Sequence, residues 1–433
     1  MTPAWLKFMP SAFRARVEHR PNLQKALINT AWLLGDKLLR MGAGLFVGVW
    51  MARYLGPEEF GLLNYAMAIV ALFGAVAGLG LGGIVVRDLV QKPDGTYVTL
   101  GTAFLLQFVG GGVAFSLAVA AVSILRPVDD LARMMVAILG FALVLKSSEA
   151  VKYWFESQVT SKYAVWAENG VFLVLTAVRI VLILSKAPLI AFVWAAFAET
   201  ALIWVALLLT YEKKVGGLTR WSANFSRARS LIMESWPLIL GAIASMVNMR
   251  MDQVMLGSMV NNLVVGNYSA AMRLAEVWLI VPGIIASSIY PSIIAAKEAG
   301  EDLYRRRVRK ITKLMALWVV PTALAVSMLS ELIVSLVYGV QYADAGSYLA
   351  ISIWTGVPYL VFFALNQVLY IERLLKVAFG ISIFTVASNV LLNLALIPLF
   401  GGIGAAVSTL ITSIATAVIS LIIINSKTGI FKS

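Results

Sequence analysis

Two short segments place ions where ions are expensive. MRMDQVML, Met249 to Leu256, holds Arg250 and Asp252 in an otherwise apolar run, and AMRLAEVWL, Ala271 to Leu279, holds Arg273 and Glu276. Further basic residues fall within apolar runs at Lys37, Arg40, Lys146 and Arg179, with acidic companions at Asp36, Glu149 and Glu199. Guanidinium groups grip phosphate oxygens through two parallel hydrogen bonds, so several of them around one wet cavity would suit a phosphate or diphosphate. Carboxylates beside them would balance the charge or take up a coupling proton. The structural alternative is a set of ion pairs joining helices, or charges near span ends that reach out to water.

The surroundings decide how much such charges matter. Of 433 residues, 60% are hydrophobic and 13% charged, against about 25% charged in an ordinary soluble chain. Apolar runs of about 20 residues, long enough to cross roughly 30 Å of hydrocarbon as a helix, recur from Leu27 onward. If Asp36, Lys37 and Arg40 faced lipid at mid-depth, they would cost roughly 8–10 kcal/mol together. They are therefore expected to face protein or a water-filled cavity. Asp36 and Arg40, Lys146 and Glu149, and Arg273 and Glu276 share helix faces by their spacing of three or four. Arg250 and Asp252, two apart, do not, so at least one needs a partner elsewhere.

The pattern predicts an all-α integral membrane protein of about twelve transmembrane helices. The expected spans lie near 27–53, 61–86, 97–125, 131–154, 164–185, 188–211, 231–258, 266–296, 311–337, 347–371, 375–398 and 401–425. They divide into a tail (1–26) with an interfacial character, an N-lobe (27–211), a basic linker (212–230), a C-lobe (231–425) and a second tail (426–433). A shift of about 205 residues aligns Gly61, Ala66 and Met67 with Gly266, Ala271 and Met272, which points to two parallel six-helix repeats about an axis along the membrane normal. With alternate loops on opposite sides, one side carries about 25 Lys and Arg and the other four: Arg53, Arg126, Arg133 and Lys186. The excess of basic residues places both termini in the cytoplasm.

The formal net charge of +13 is explained by topology, so no nucleic-acid partner is expected. The absence of cysteine excludes disulfides and thiolate metal sites, and no cofactor is expected. His19 is expected to be a solvated tail residue, and no apolar region follows the first charges as in a cleavable signal peptide. GLGLGG, Gly78 to Gly83, lies in an apolar span without a preceding strand and reads as helix packing or flexibility rather than nucleotide binding. Pro282, Pro321 and Pro358 predict kinks.

MARYLGPEEFGLLNYAMAIVALF (Met51 to Phe73), RMDQVMLG (Arg250 to Gly257) and NYSAAMRLAEV (Asn267 to Val277) resemble segments of the Wzx-type oligosaccharide–lipid flippases. Those belong to the superfamily that includes the multidrug and toxin extruders. The resemblance implies two six-helix bundles in a bacterial inner membrane. It also implies transfer of an undecaprenyl-diphosphate-linked oligosaccharide to the periplasmic leaflet by alternating access, without enzymatic chemistry. Cavity-lining cations would be Lys37, Arg40, Arg179, Arg250 and Arg273, with Asp36, Asp252 and Glu276 for ion coupling or charge balance. Membrane lipids, and polymerase and chain-length proteins of the same pathway, are the implied partners. The alternatives are a multidrug extruder, a lipid II flippase, and a membrane glycosyltransferase or polymerase. The last lacks the acidic DxD pair and large outer loop it would need.

Overall fold

The computed structural model describes residues 21–372 and 374–429, and the helices there read directly from the apolar runs. They are α1 (Pro21–Gly78), α2 (Gly82–Gln91), α3 (Thr96–Leu125), α4 (Asp130–Leu145), α5 (Glu149–Ser157), α6 (Lys162–Leu184), α7 (Leu189–Lys214) and α8 (Phe225–Met259). Then follow α9 (Asn262–Ala299), α10 (Glu301–Met328), α11 (Ser330–Tyr338), α12 (Ala343–Ser352), α13 (Gly356–Ile371) and α14 (Leu375–Thr428). No strand occurs among the described residues. The tail with His19 lies outside them, as do the last four residues.

Among the described residues, eight helices are long and apolar enough to cross a membrane, or nine if the pair Val319–Met328 and Ser330–Tyr338, bent by 68°, is one span. Two of the eight stretches, 64 and 52 residues long, far exceed the ~20 residues one crossing takes. Gly56 (φ 72°, ψ 170°) breaks the first and Gly401 (φ 57°, ψ −129°) the second, a backbone conformation open to glycine and costly for other residues. The GLGLGG run is a second break in the first stretch: Leu79 and Gly80 have positive φ between α1 and α2. Pro321 sits inside α10, and the sharp bend falls beyond it at Leu329.

The chain forms two compact units. The first comprises residues 1–48, 73–120 and 137–239, and the second 49–72, 121–136 and 240–433. Short pieces of the N-terminal half, around Gly56 and Arg126, thus pack with the C-terminal half.

Turns expected on one side of the membrane lie together. In the first unit the turn after α2 meets the linker: Arg87 bonds Glu234, Arg227 bonds Asp88, and the Ser222 amide donates to the Tyr97 carbonyl at 3.4 Å. In the second unit Lys297, at the end of α9, pairs with Glu301 and with Glu372 at 2.8 Å. Burial pulls its ammonium down, but the hydrogen bonds to Glu301 and Glu372 outweigh that and hold it above its ordinary value. These are turns expected on the basic side. Several of those expected on the other side gather in the second unit, where the segments near Gly56, Arg126, Gly257 and Val337 touch one another.

The closest approach in that cluster is symmetric. A Cβ on Gly61 would lie 1.8 Å from the Asn262 carbonyl oxygen, and a Cβ on Gly266 would lie 1.8 Å from the Pro57 carbonyl oxygen. Pro57 and Asn262, like Gly61 and Gly266, are related by the same 205-residue shift that aligns the two halves in sequence. The two repeats therefore cross backbone to backbone about a local two-fold axis, which only the smallest residue allows. Gly61→Ala and Gly266→Ala are expected to destabilise this crossing to similar extents, about 1–3 kcal/mol each. Thermal unfolding in detergent would measure both, and unequal losses would speak against the symmetry.

Candidate functional site

The charged residues within the spans sort into three kinds. The first kind is neutralised in place. Arg40 donates from Nε to Asp36, one turn earlier on α1, at 2.7 Å, and lies 3.5 Å from Glu168 of α6. Glu168 also pairs with Lys152 of α5 at 3.0 Å, and the Arg40 guanidinium stacks over Phe172 at 5.1 Å. Two bases and two acids thus close on one another. Arg179 of α6 pairs with Glu199 of α7 at 2.5 Å. Lys146 reaches the Gly74 carbonyl at 3.3 Å, and Glu149 accepts from Tyr153 at 3.1 Å. Arg40 and Arg179, expected among the cations gripping a ligand, are instead held by carboxylates of neighbouring helices, because an arginine this deep is stabilised most by a nearby acid. Lys37, next to Asp36 on α1, is exposed.

The second kind is an isolated carboxylate. Asp252 of α8 is only 6% exposed. It accepts three hydrogen bonds from neutral donors: Tyr268 of α9 at 2.5 Å, and Asn393 and Thr409 of α14 at 2.6 and 2.7 Å. Asn389 extends the network to Asn393 and Thr409, both at 3.2 Å. The Asn393 side-chain oxygen is buried with no hydrogen-bond partner among the described residues. No Lys or Arg pairs with Asp252 among the described residues. A buried carboxylate beside an unused amide oxygen is chemically suited to a small cation, a proton or a monovalent metal ion.

The third kind is a basic pair. Arg250, two residues before Asp252 and so on another side of α8, is half-buried with no ion pair among the described residues. It lies close enough to Arg273 to repel it, and Glu276 is near enough to Arg273 to offset part of that. Arg273 is itself half-buried; it donates to Asn64 at 3.2 Å and stacks over Phe60 at 5.0 Å. Neither Asn64 nor Phe60 is a carboxylate, so Arg273, like Arg250, has no ion pair among the described residues. The second unit therefore brings together Arg250, Asp252, Arg273 and Glu276, while Asp36, Lys37, Arg40 and Arg179 belong to the first.

Sequence reasoning missed Glu168, Lys152, Tyr268, Asn393 and Thr409. The one available signal was the pair of asparagines four apart in SNVLLNLALIPLF, Ser388 to Phe400, which shares a face of an apolar helix.

Residues 50–347 match the model of a family described as polysaccharide biosynthesis protein. The chain belongs to that family. This polysaccharide biosynthesis protein is 22% identical to a probable flippase, AglR, of Haloferax volcanii, covering 88% of this chain and 80% of the relative. It is 25% identical to a probable low-salt glycan biosynthesis flippase of the same organism, covering 85% and 77%. Among solved structures it is similar in fold to an inward-facing multidrug-resistance transporter of the MATE family and MOP superfamily, with a TM-score of 0.73 and 13% identity over 90% of this chain and 94% of that one. It is also similar to the lipid II flippase MurJ in an inward closed conformation, with a TM-score of 0.67 and 13% identity over 92% and 87%. The polysaccharide biosynthesis protein is thus an all-α, multi-pass membrane protein with the MATE-like fold.

The sorting of arginines makes a measurable distinction. Arg179→Ala should lower stability by about 1–3 kcal/mol by stranding Glu199, and Arg179→Ala with Glu199→Ala should recover most of the loss. Arg250→Ala should leave the unfolding temperature nearly unchanged. Equal losses for Arg179→Ala and Arg250→Ala would contradict the sorting.

Proposed function

We propose that this protein is a flippase that moves an undecaprenyl-diphosphate-linked oligosaccharide from the cytoplasmic to the periplasmic leaflet of a bacterial inner membrane. The observation that carries the reading is the Arg250–Arg273 pair: two guanidinium groups, one glutamate and no neutralising partner for Arg250 among the described residues. The family and the flippase names of its relatives support the same reading.

In this mechanism Arg250 and Arg273 hold the diphosphate by charge-assisted hydrogen bonds while the polyprenyl chain stays in lipid. Among the described residues Lys37 is the remaining cation of the expected set without an ion pair; Arg40 and Arg179 keep their structural pairs. Twelve helices in two six-helix lobes, with both termini in the cytoplasm, alternate between inward and outward states. No covalent bond changes, so no catalytic residue is required. The spare positive charge favours anions over the cationic drugs of a multidrug extruder.

Asp252 is assigned to energy coupling. Occupancy of its carboxylate by a proton or sodium ion would change the charge next to Tyr268 of α9, which donates to it. The same helix carries Arg273 and Glu276. The cation site and the phosphate site thereby share α8 and α9, and coupling would run through these two helices.

The test is transfer of a defined diphosphate-linked oligosaccharide across proteoliposomes. Arg250→Ala or Arg273→Ala should reduce transfer by at least roughly 100-fold with the fold intact, the loss of one or two charged hydrogen bonds. Retained transfer in both rejects the assignment. Asp252→Asn should leave slow transfer that no longer responds to an imposed pH or sodium gradient; an undiminished response would remove Asp252 from the coupling step.

A further inference from the structure

Four basic residues break the rule that Lys and Arg gather on one side: Arg53, Arg126, Arg133 and Lys186. Two of them have an unusual kind of partner. Arg53 donates from Nε to the carbonyl of Val337 at 2.8 Å and from Nη2 to that of Leu336. These carbonyls close α11, which ends at Gly339 with φ 90°. Arg126 donates from Nε at 3.1 Å and from Nη2 to one oxygen, the Gly257 carbonyl in the last turn of α8. In each case a guanidinium of the N-terminal half sits on the C-terminal end of a helix of the C-terminal half, where unpaired carbonyls and the helix dipole favour a cation.

Both contacts are built rather than incidental. The Arg126 guanidinium stacks on Tyr65 at 4.0 Å and is steered by Asp129 at 3.0 Å. Tyr65 is fully buried against Gly257, where a Cβ would come within 2.2 Å of its ring, and its hydroxyl lies 3.1 Å from the Ser258 hydroxyl. Around Arg53, Gln341 donates back to the Arg53 carbonyl at 2.8 Å, and Tyr342 donates to the Ala52 carbonyl at 2.7 Å. The Gly61–Gly266 crossing belongs to the same cluster. Arg133, by contrast, bonds Asp130 on its own helix and no other side chain among the described residues.

We propose that Arg53 and Arg126 are a two-point latch that holds the transporter closed on its lysine- and arginine-poor side. They are kept there against the charge rule because each chelates helix-end carbonyls of the opposite half. Opening that side must pull both guanidinium groups off these carbonyls, and water then solvates both partners. Neither arginine touches the phosphate site assigned above, so the latch sets which side is open rather than what is bound. The inference rests on the transporter reading but not on its substrate.

The chain has no cysteine, so spin labels can be placed at Val128→Cys and Val340→Cys, two turn residues 91% and 86% exposed. Pulsed EPR is recorded without oligosaccharide. The parent should give one short distance. Arg53→Gln and Arg126→Gln should each raise the longer-distance population about 10-fold relative to the closed one, the effect of a lost charged hydrogen bond. Arg126→Lys, which keeps the charge but not the two-nitrogen grip, should shift it in the same direction. Arg133→Gln should do nothing. Unchanged distances in the Arg53 and Arg126 variants, or an equal shift in Arg133→Gln, overturn the latch. Should one glutamine variant fail to fold, the other arginine and Arg126→Lys decide the matter. Shifted distances together with failure of the parent to transfer the oligosaccharide would reject the substrate and leave the latch standing.

Discussion

A guanidinium group inside an apolar span must be satisfied by something, and what satisfies it defines its role. Carboxylates of neighbouring helices take Arg40 and Arg179. Backbone carbonyls at helix ends take Arg53 and Arg126. An amide and an aromatic face take Arg273, and Arg250 is left with a like charge for company. The same cost of burying charge in a low-dielectric medium thus gives one residue type carboxylate, carbonyl and aromatic partners at different places in the fold.

The layout follows from where these partners reside. The paired charges Asp36, Arg40, Lys152, Glu168, Arg179 and Glu199 belong to the unit built mainly from the N-terminal half, where α1, α5, α6 and α7 supply them in equal numbers. The unit built mainly from the C-terminal half keeps a carboxylate without a base and bases without enough carboxylate.

Much of this was legible in the sequence. Apolar runs located the helices, and the spacing of Asp36 and Arg40 foretold their pairing. The two-residue step from Arg250 to Asp252 put them on different sides of one helix, and the shift that aligns Gly61 with Gly266 revealed the repeat but not the contact between its copies. The partners of Asp252 were not legible, since Tyr268, Asn393 and Thr409 come from two other helices and are neutral. The acceptors of Arg53 and Arg126 were less so: a carbonyl oxygen has no letter in the sequence, and only helix ends reveal which ones are unpaired. Glu168 escaped notice because its two partners lie on α1 and α5, beyond the reach of local spacing.

The reciprocal contact at the centre, Gly61 to Asn262 and Gly266 to Pro57, has the form that two identical subunits make about a dyad. A self-pairing ancestor of half this length would have needed only one such glycine to associate. Joined in one polypeptide, two such copies keep their common seam yet are free to diverge everywhere else.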